Sequence, residues 1–359
     1  MDQIGNICQG KNPVCSPYTI IKNLATGGFG EVYNATDKNG QEVVIKFPAQ
    51  YMPNGILMAP DYHAVVIEKL KVEAKVLKNF VNFKPHSVVR YIDEASNPNN
   101  FFLVIEKVDG ESVLEKIKGG NALPENEVIK LSVDILRGLE FLHKHNTIYR
   151  DMKPPNIMIR KNGSAVLIDF GTAKQGVTQI STQQNTSHTR LGSEGWTCPE
   201  QDIGRASTEC DLYALGRVMF YMATGHQPAD YEFPYGDVYF GNMQYKANRF
   251  GADAELSNLI DDMISYSGNE IGSDGIKKQI EPAHKIQTAG EVMQRLEMIS
   301  PSAYQRQRVQ PRKYTTSPKT ILQGPHIILG GERWPMVGNL CEIERSHNCP
   351  DPDEDCSRG

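Results

Sequence analysis

The sequence predicts an α+β chain of two lobes: a small antiparallel β-sheet lobe with one helix, then a larger, mainly helical lobe. Three observations lead to that expectation. Short apolar segments broken by turn residues fill residues 18–108, and after V-D-G at 108–110 the apolar spacing becomes that of helices. Between two apolar segments lies I-Y-R-D-M-K-P-P-N, residues 148–156, which crowds Arg150, Asp151, Lys153 and Asn156 against a core edge. Unpaired charge is expensive there, so the stretch reads as a rigid turn presenting a base, a cation and an amide to one ligand.

The totals narrow the class. A length of 359 residues admits roughly two to three domains and a sizeable core. With 39% hydrophobic and 23% charged residues, the chain has the composition of a soluble globular protein. A net charge of -5 without a basic stripe argues against a nucleic-acid partner. The apolar runs are too short to span a bilayer, and M-D-Q-I-G-N lacks the layout of a signal peptide, so neither membrane insertion nor export is expected. Seven scattered cysteines, an odd count, read as reduced thiols in a cytoplasm rather than as a disulfide framework.

Residues 1–17, polar and punctuated by Pro13 and Pro17, read as an extension. Residues 18–24 form a first strand, and A-T-G-G-F-G-E-V-Y at 25–33 returns the chain into a second through Val32 and Tyr33. Gly27, Gly28 and Gly30 allow the backbone to approach a ligand closely. A plain hairpin accounts for them too, except for Phe29, an apolar residue at a tip that a plain turn makes polar. E-V-V-I-K-F at 42–47 is a third strand with Val44 and Lys46 on one face. Lys46 alone could snorkel to solvent. A helix over 64–80 carries Val66, Leu70, Leu77 and Phe80 in its apolar stripe, and Glu73 falls in the same stripe. An inward carboxylate needs a partner, and Lys46 is the candidate cation. Strands over 88–92 and 101–108 complete the small lobe.

Pro124 opens a long amphipathic helix ending near His145, with Val128, Leu131, Ile135, Leu139 and Leu142 as its core face. A-V-L-I-D-F-G at 165–171 reads as a buried strand ending in an aspartate and a glycine. Residues 172–199, rich in Thr, Ser, Gln and Asn, are too long for a plain connector and read as a functional loop closed by C-P-E. Helices over 210–223, 255–265 and 288–298 finish the large lobe.

Taken in order, the Gly-rich loop at 25–32, V-V-I-K at 43–46, Glu73, Y-R-D-M-K-P-P-N at 149–156, D-F-G at 169–171, C-P-E at 198–200 and Asp211 form a motif set. Over about residues 18–300 this set resembles the eukaryotic-type Ser/Thr protein kinase family. The resemblance implies the bilobal protein kinase fold, with an N-lobe at 18–108 and a C-lobe at 109–300. It also implies transfer of the ATP γ-phosphate to Ser/Thr hydroxyls of protein substrates, with Mg²⁺, or Mn²⁺ in its stead, as the ion.

Residue by residue, the resemblance implies that the loop from Ala25 through Gly27, Gly28 and Gly30 covers the phosphates. Lys46, held by Glu73, would neutralise them. Val32, Val44 and Met158 would sandwich adenine, whose polar edge is read by the backbone around Glu106 and Val108, with Ile105 behind. Asn156 and Asp169 would hold the ion, Asp151 would accept the substrate proton, and Lys153 would balance the transferring phosphate. Asp211 would anchor the catalytic loop. Leu77, Tyr91, Tyr149 and Phe170 match an apolar stack.

Arg150 beside Asp151 implies control by phosphorylation of the following loop, with Thr182, Thr186, Ser187 and Thr189 as candidates. The chain departs from the family at Ala25 (usually Gly), Tyr149 (usually His), Ser193 (usually Thr) and Cys198 (usually Ala). The late arginine expected to pair with Glu200 is missing, and His284 or Lys285 is the substitute. A kinase-like scaffold without catalysis is the competing reading; intact Lys46, Glu73, Asp151, Asn156 and Asp169 favour the enzyme.

Residues 301–325 are basic, polar and proline-punctuated, as in a solvated linker. Segments 326–335 and 339–349 read as two strands about a turn, and E-I-E-R-S-H-N-C is similar to the opening of a forkhead-associated domain, with Glu344 in place of a glycine and Arg345 matching its arginine. Residues 326–359 would then be an incomplete domain of that kind, implying phosphorylated partners. Cys341, His347, Cys349 and Cys356 lack the spacing of a zinc site.

Overall fold

The computed structural model describes residues 18–302 except 28–29, 50, 52–55, 84, 98–99, 176–194, 203, 205, 232–246, 265–268, 272–276 and 280–285, together with strands at 326–329 and 332–335. The architecture is α+β. The chain divides into two compact units, one comprising Met1–Ala74, Arg90–Lys107 and Tyr314–Gly359, the other Lys75–Val89 and Val108–Lys313.

In the first unit, β1 (Thr19–Gly27), β2 (Gly30–Thr36), β3 (Glu42–Phe47), β4 (Tyr91–Asn97) and β5 (Asn100–Glu106) form an antiparallel sheet in the order β1-β2-β3-β5-β4. The period-2 alternation of strands sends Tyr33, Ala35, Val43, Ile45, Phe47, Phe102 and Val104 into one core with Tyr18 and Ile20. Helix α1 (Pro60–Asn79) begins four residues earlier than its apolar spacing indicates, because its first turn, P-D-Y-H, is polar and carries no stripe. Its expected stripe is buried: Val66, Leu70, Glu73 and Leu77 are all at most 7% exposed.

β4 is displaced from the predicted 88–92. Val88 and Val89 belong to the second unit, where Val89 N–H donates to the Leu167 carbonyl at 2.9 Å, so their apolar character is spent there. The tail also differs from expectation. β13 (His326–Leu329) and β14 (Glu332–Pro335) pair antiparallel within what reads as a single strand, with β14 lying beside β4. The Gly-Gly between them is a hairpin signal that outweighs the apolar run. Residues 339–349, including Arg345, lie outside the described residues.

The second unit is built around α3 (Glu125–Lys144), which follows β6 (Gly110–Ser112) and the single turn α2 (Val113–Lys116). All five predicted core residues of α3 are fully buried. Behind α3 come β7 (Thr147–Ile148), β8 (Ile157–Arg160), β9 (Ala165–Leu167), β10 (Lys174–Gln175), α4 (Pro199–Asp202), α5 (Thr208–Thr224), α6 (Ala254–Ile264), β11 (Asn269–Ile271), β12 (Lys277–Gln279) and α7 (Ala289–Ile299). Thus the predicted strand over 165–171 stops at Leu167, before the aspartate. No helix among the described residues is long and apolar enough to cross a membrane.

α5 is buried along nearly its whole length and lies hard against α6. A Cβ placed on Gly216 would stand 2.8 Å from the Met263 Cβ and 2.9 Å from the Ile264 Cγ2, so this crossing accepts no side chain. Gly216→Val is therefore expected to destabilise the second unit by about 1–3 kcal/mol through overpacking, measurable as a lower urea midpoint.

Candidate active site

The sequence-predicted site residues are shared between the two units. In the first, strand pairing sets Ala25 opposite Val32, Val32 opposite Lys46 and Lys46 opposite Leu103. These side chains form a row on the face turned away from Tyr33 and Ile45, and Val44 occupies the next row opposite Ile105. Lys46 Nζ lies 2.7 Å from Glu73 Oε1, and the carboxylate side chain is only 2% exposed. Removing either half of so buried a pair would strand the other charge, so each residue holds the other in place. Gly27 pairs with Gly30, whose Cβ would sit 2.8 Å from the Phe47 carbonyl oxygen; glycine is required there. Gly28 lies outside the described residues. Glu106 donates its main-chain N–H to the Arg90 carbonyl at 2.9 Å.

In the second unit, β7 delivers the chain into Tyr149 and Arg150, and a 3₁₀ turn at Pro154–Asn156 returns it into β8. Three predicted residues converge in this loop. Lys153 Nζ stands 2.9 Å from Asp151 Oδ2, and Asn156 Nδ2 donates to the same oxygen at 2.8 Å and to the Asp151 carbonyl at 3.0 Å. With its amide nitrogen committed, Asn156 can offer its side-chain oxygen to a cation. Asp169 has φ +65°, and its Oδ1 accepts from Gly171 N–H at 3.2 Å. These two residues supply hard oxygen donors of the kind Mg²⁺ takes. Met158 is half-buried on β8, and Val108 opens the longer of this unit's two segments.

The loop is held from below by Asp211, which is 1% exposed. One carboxylate oxygen accepts from Arg150 N–H at 2.8 Å, the other from Tyr149 N–H at 2.9 Å, and His143 Nε2 lies 2.8 Å from the latter oxygen. Gln201 Nε2 donates to the Arg150 carbonyl at 2.8 Å. The two bonds hold the peptide groups on either side of the Arg150 Cα, and Arg150 sits at φ +70°, a region that side-chain-bearing residues rarely adopt. Burial pushes the Arg150 guanidinium below its ordinary pKa, partly countered by Asp211.

Tyr149 packs its ring on Phe170 at 5.0 Å, and its hydroxyl donates to the Ile168 carbonyl, which ties the 149–156 loop to the segment leading into Asp169. His143 and Gln201 were not legible as site residues. His143 follows the apolar stripe of α3, and Gln201 follows C-P-E; only their long-range partners reveal them.

The expected reduced thiols are corrected at one pair. Cys198 and Cys210 form a disulfide, with Cα atoms 5.3 Å apart. Their separation of 12 residues has no recognisable spacing; the fold brings the end of one loop onto the start of α5. Glu200 lies close to both sulfurs, but the disulfide has taken both possible thiolate ligands. Thr182, Thr186, Ser187, Thr189, Ser193, His284 and Lys285 lie outside the described residues.

The protein kinase domain family matches residues 18–264. Among curated proteins, the serine/threonine-protein kinase PknA of Nostoc sp. is 31% identical over 287 residues, 78% of this chain and 47% of that protein. Serine/threonine-protein kinase D of Synechocystis sp. is 28% identical over 295 residues, 80% of this chain and 53% of that protein. The chain thus spans about half the length of these curated relatives.

Asp211→Asn would turn an NH₂ group toward one of the two main-chain donors, Tyr149 or Arg150 N–H, and is expected to cost about 3 kcal/mol. Tyr149→Phe, which keeps the ring and loses the hydroxyl shared between the Ile168 and Asn156 carbonyls, should cost about 1 kcal/mol. Urea melts of the two variants check that order.

Proposed function

This chain belongs to the protein kinase family, and from that we propose that it transfers the γ-phosphate of ATP to serine or threonine hydroxyls of protein substrates. The observation that carries the reading is the Asp151 carboxylate held between Lys153 and Asn156. In the proposed reaction the substrate hydroxyl oxygen attacks the γ-phosphorus, the bond to the departing ADP oxygen breaks, and the hydroxyl proton passes to Asp151. Lys153 balances charge on the transferring group. Lys46, fixed by Glu73, faces the α- and β-phosphates beneath the loop of Ala25, Gly27, Gly28 and Gly30. Val32, Val44 and Met158 contact adenine, with Glu106 and Val108 at its polar edge. Asn156 and Asp169 would hold Mg²⁺, or Mn²⁺, which supplies charge neutralisation of the phosphates when bound.

The test is transfer of labelled phosphate from Mg·ATP to a protein substrate, with the modified residues identified by mass spectrometry. Wild type should label Ser or Thr, and Asp151→Asn should lose about 10²–10³-fold or more in rate. Equal background labelling by both would remove the enzyme reading.

Regulation by phosphorylation of the 172–199 loop is part of the same proposal. Arg150 Nε is buried with no hydrogen-bond partner among the described residues, and a buried cation is stabilised by a nearby anion. A phosphate adds about -1.5 to -2 charge and suits that position. Replacing Thr182, Thr186, Ser187 and Thr189 together by alanine should lower activity severalfold and abolish any lag before full turnover; an unchanged progress curve counts against this control.

A further inference from the structure

The Cys198–Cys210 disulfide has a definite place among the bonds that hold Arg150. The Arg150 N–H is held by Asp211, the residue next to Cys210, and the Arg150 carbonyl by Gln201, three residues after Cys198. The disulfide joins the two holders, so Arg150, Asp211, Cys210, Cys198 and Gln201 form a ring closed by two hydrogen bonds and one disulfide, with the main chain between. Arg150 sits at φ +70° and leads directly into Asp151, so slack anywhere in the ring is passed on to that carboxylate. Both cysteines line the same pocket as Asp151 and Trp196, although they are 2% and 4% exposed.

We propose that the Cys198–Cys210 disulfide is a positioning bond for Asp151, and that it makes phosphate transfer sensitive to thiols. This rests on the kinase reading above and adds a regulatory input to it. The switching step is ordinary thiol–disulfide exchange. A dithiol supplies two electrons and two protons, the Sγ–Sγ bond breaks to give two cysteine thiols, and the dithiol closes to its own disulfide. Because Asp211 and Gln201 remain, the reduced loop keeps its hydrogen bonds but loses the covalent brace, and the effect falls on placement rather than on folding.

The experiment uses the full chain, prepared without reductant and again after dithiothreitol, with the free thiols of each sample counted by alkylation and mass spectrometry. Reduction should lower kcat by about tenfold, as sub-ångström misplacement of a catalytic group does, while KM for ATP stays within twofold. Removal of dithiothreitol and reoxidation should restore the rate. Cys198→Ala should sit at the reduced rate and ignore dithiothreitol. A variant with Cys8, Cys15, Cys341, Cys349 and Cys356 replaced by serine should respond as wild type does.

Equal kcat in both redox states, an undiminished dithiothreitol response in Cys198→Ala, or alkylation of both thiols after oxidation would overturn the proposal. Slower transfer by the oxidised than by the reduced chain would also overturn it, whereas absence of transfer in both redox states would instead count against the kinase reading, so the two failures are distinguishable.

Discussion

The buried carboxylate of Asp211 is the constraint on which the rest of the second unit depends. An anion 1% exposed is tolerable only if its lone pairs are filled. Here they are filled by the two successive main-chain N–H groups of Tyr149 and Arg150, and by His143. The requirement runs both ways. The peptide at Arg150 adopts a left-handed conformation that the chain would not choose unaided, and the carboxylate is what makes it affordable. Asp211, one of three charged residues on α5 beside Glu209 and Arg217, therefore sets the geometry of a loop about sixty positions earlier in sequence.

The first unit shows the same economy with a different pair. Lys46 lies on a strand and Glu73 on a helix, and each compensates the other's buried charge. Their partnership orients α1 about its own axis relative to β3, since rotating the helix by one residue position would carry Glu73 away from the ammonium. The apolar stripe sets which face of α1 is buried, and the ion pair sets which residue of that face lies over the strand.

Much of this was legible in the chain. Glu73 could be placed on the inward face of α1 from its spacing with Val66, Leu70 and Leu77, because helical periodicity is local information. Lys46, Asp151, Lys153, Asn156 and Asp169 were recognisable as a set from the order of short motifs. What the sequence did not disclose are contacts between distant segments with no periodicity or motif to mark them: Gln201 on the Arg150 carbonyl, the Tyr149 hydroxyl on Ile168, and Cys198 on Cys210. Val88 and Val89 were misassigned for a related reason. An apolar β-branched pair signals burial, but not which of two cores does the burying.

The alternation along β3 also has a consequence for how the chain reaches its fold. Val43, Ile45 and Phe47 enter one core, while Val44 and Lys46 face the opposite way. A slip of one residue in pairing with β2 or β5 would thrust the ammonium of Lys46 into that core and turn Ile45 out of it. Misregistered sheets would thus be rejected by the cost of burying one charge, long before any nucleotide is present. The lysine that the proposed chemistry requires is also a proofreading device for strand alignment, which would keep its position under selection even in a copy of this chain that had lost catalysis.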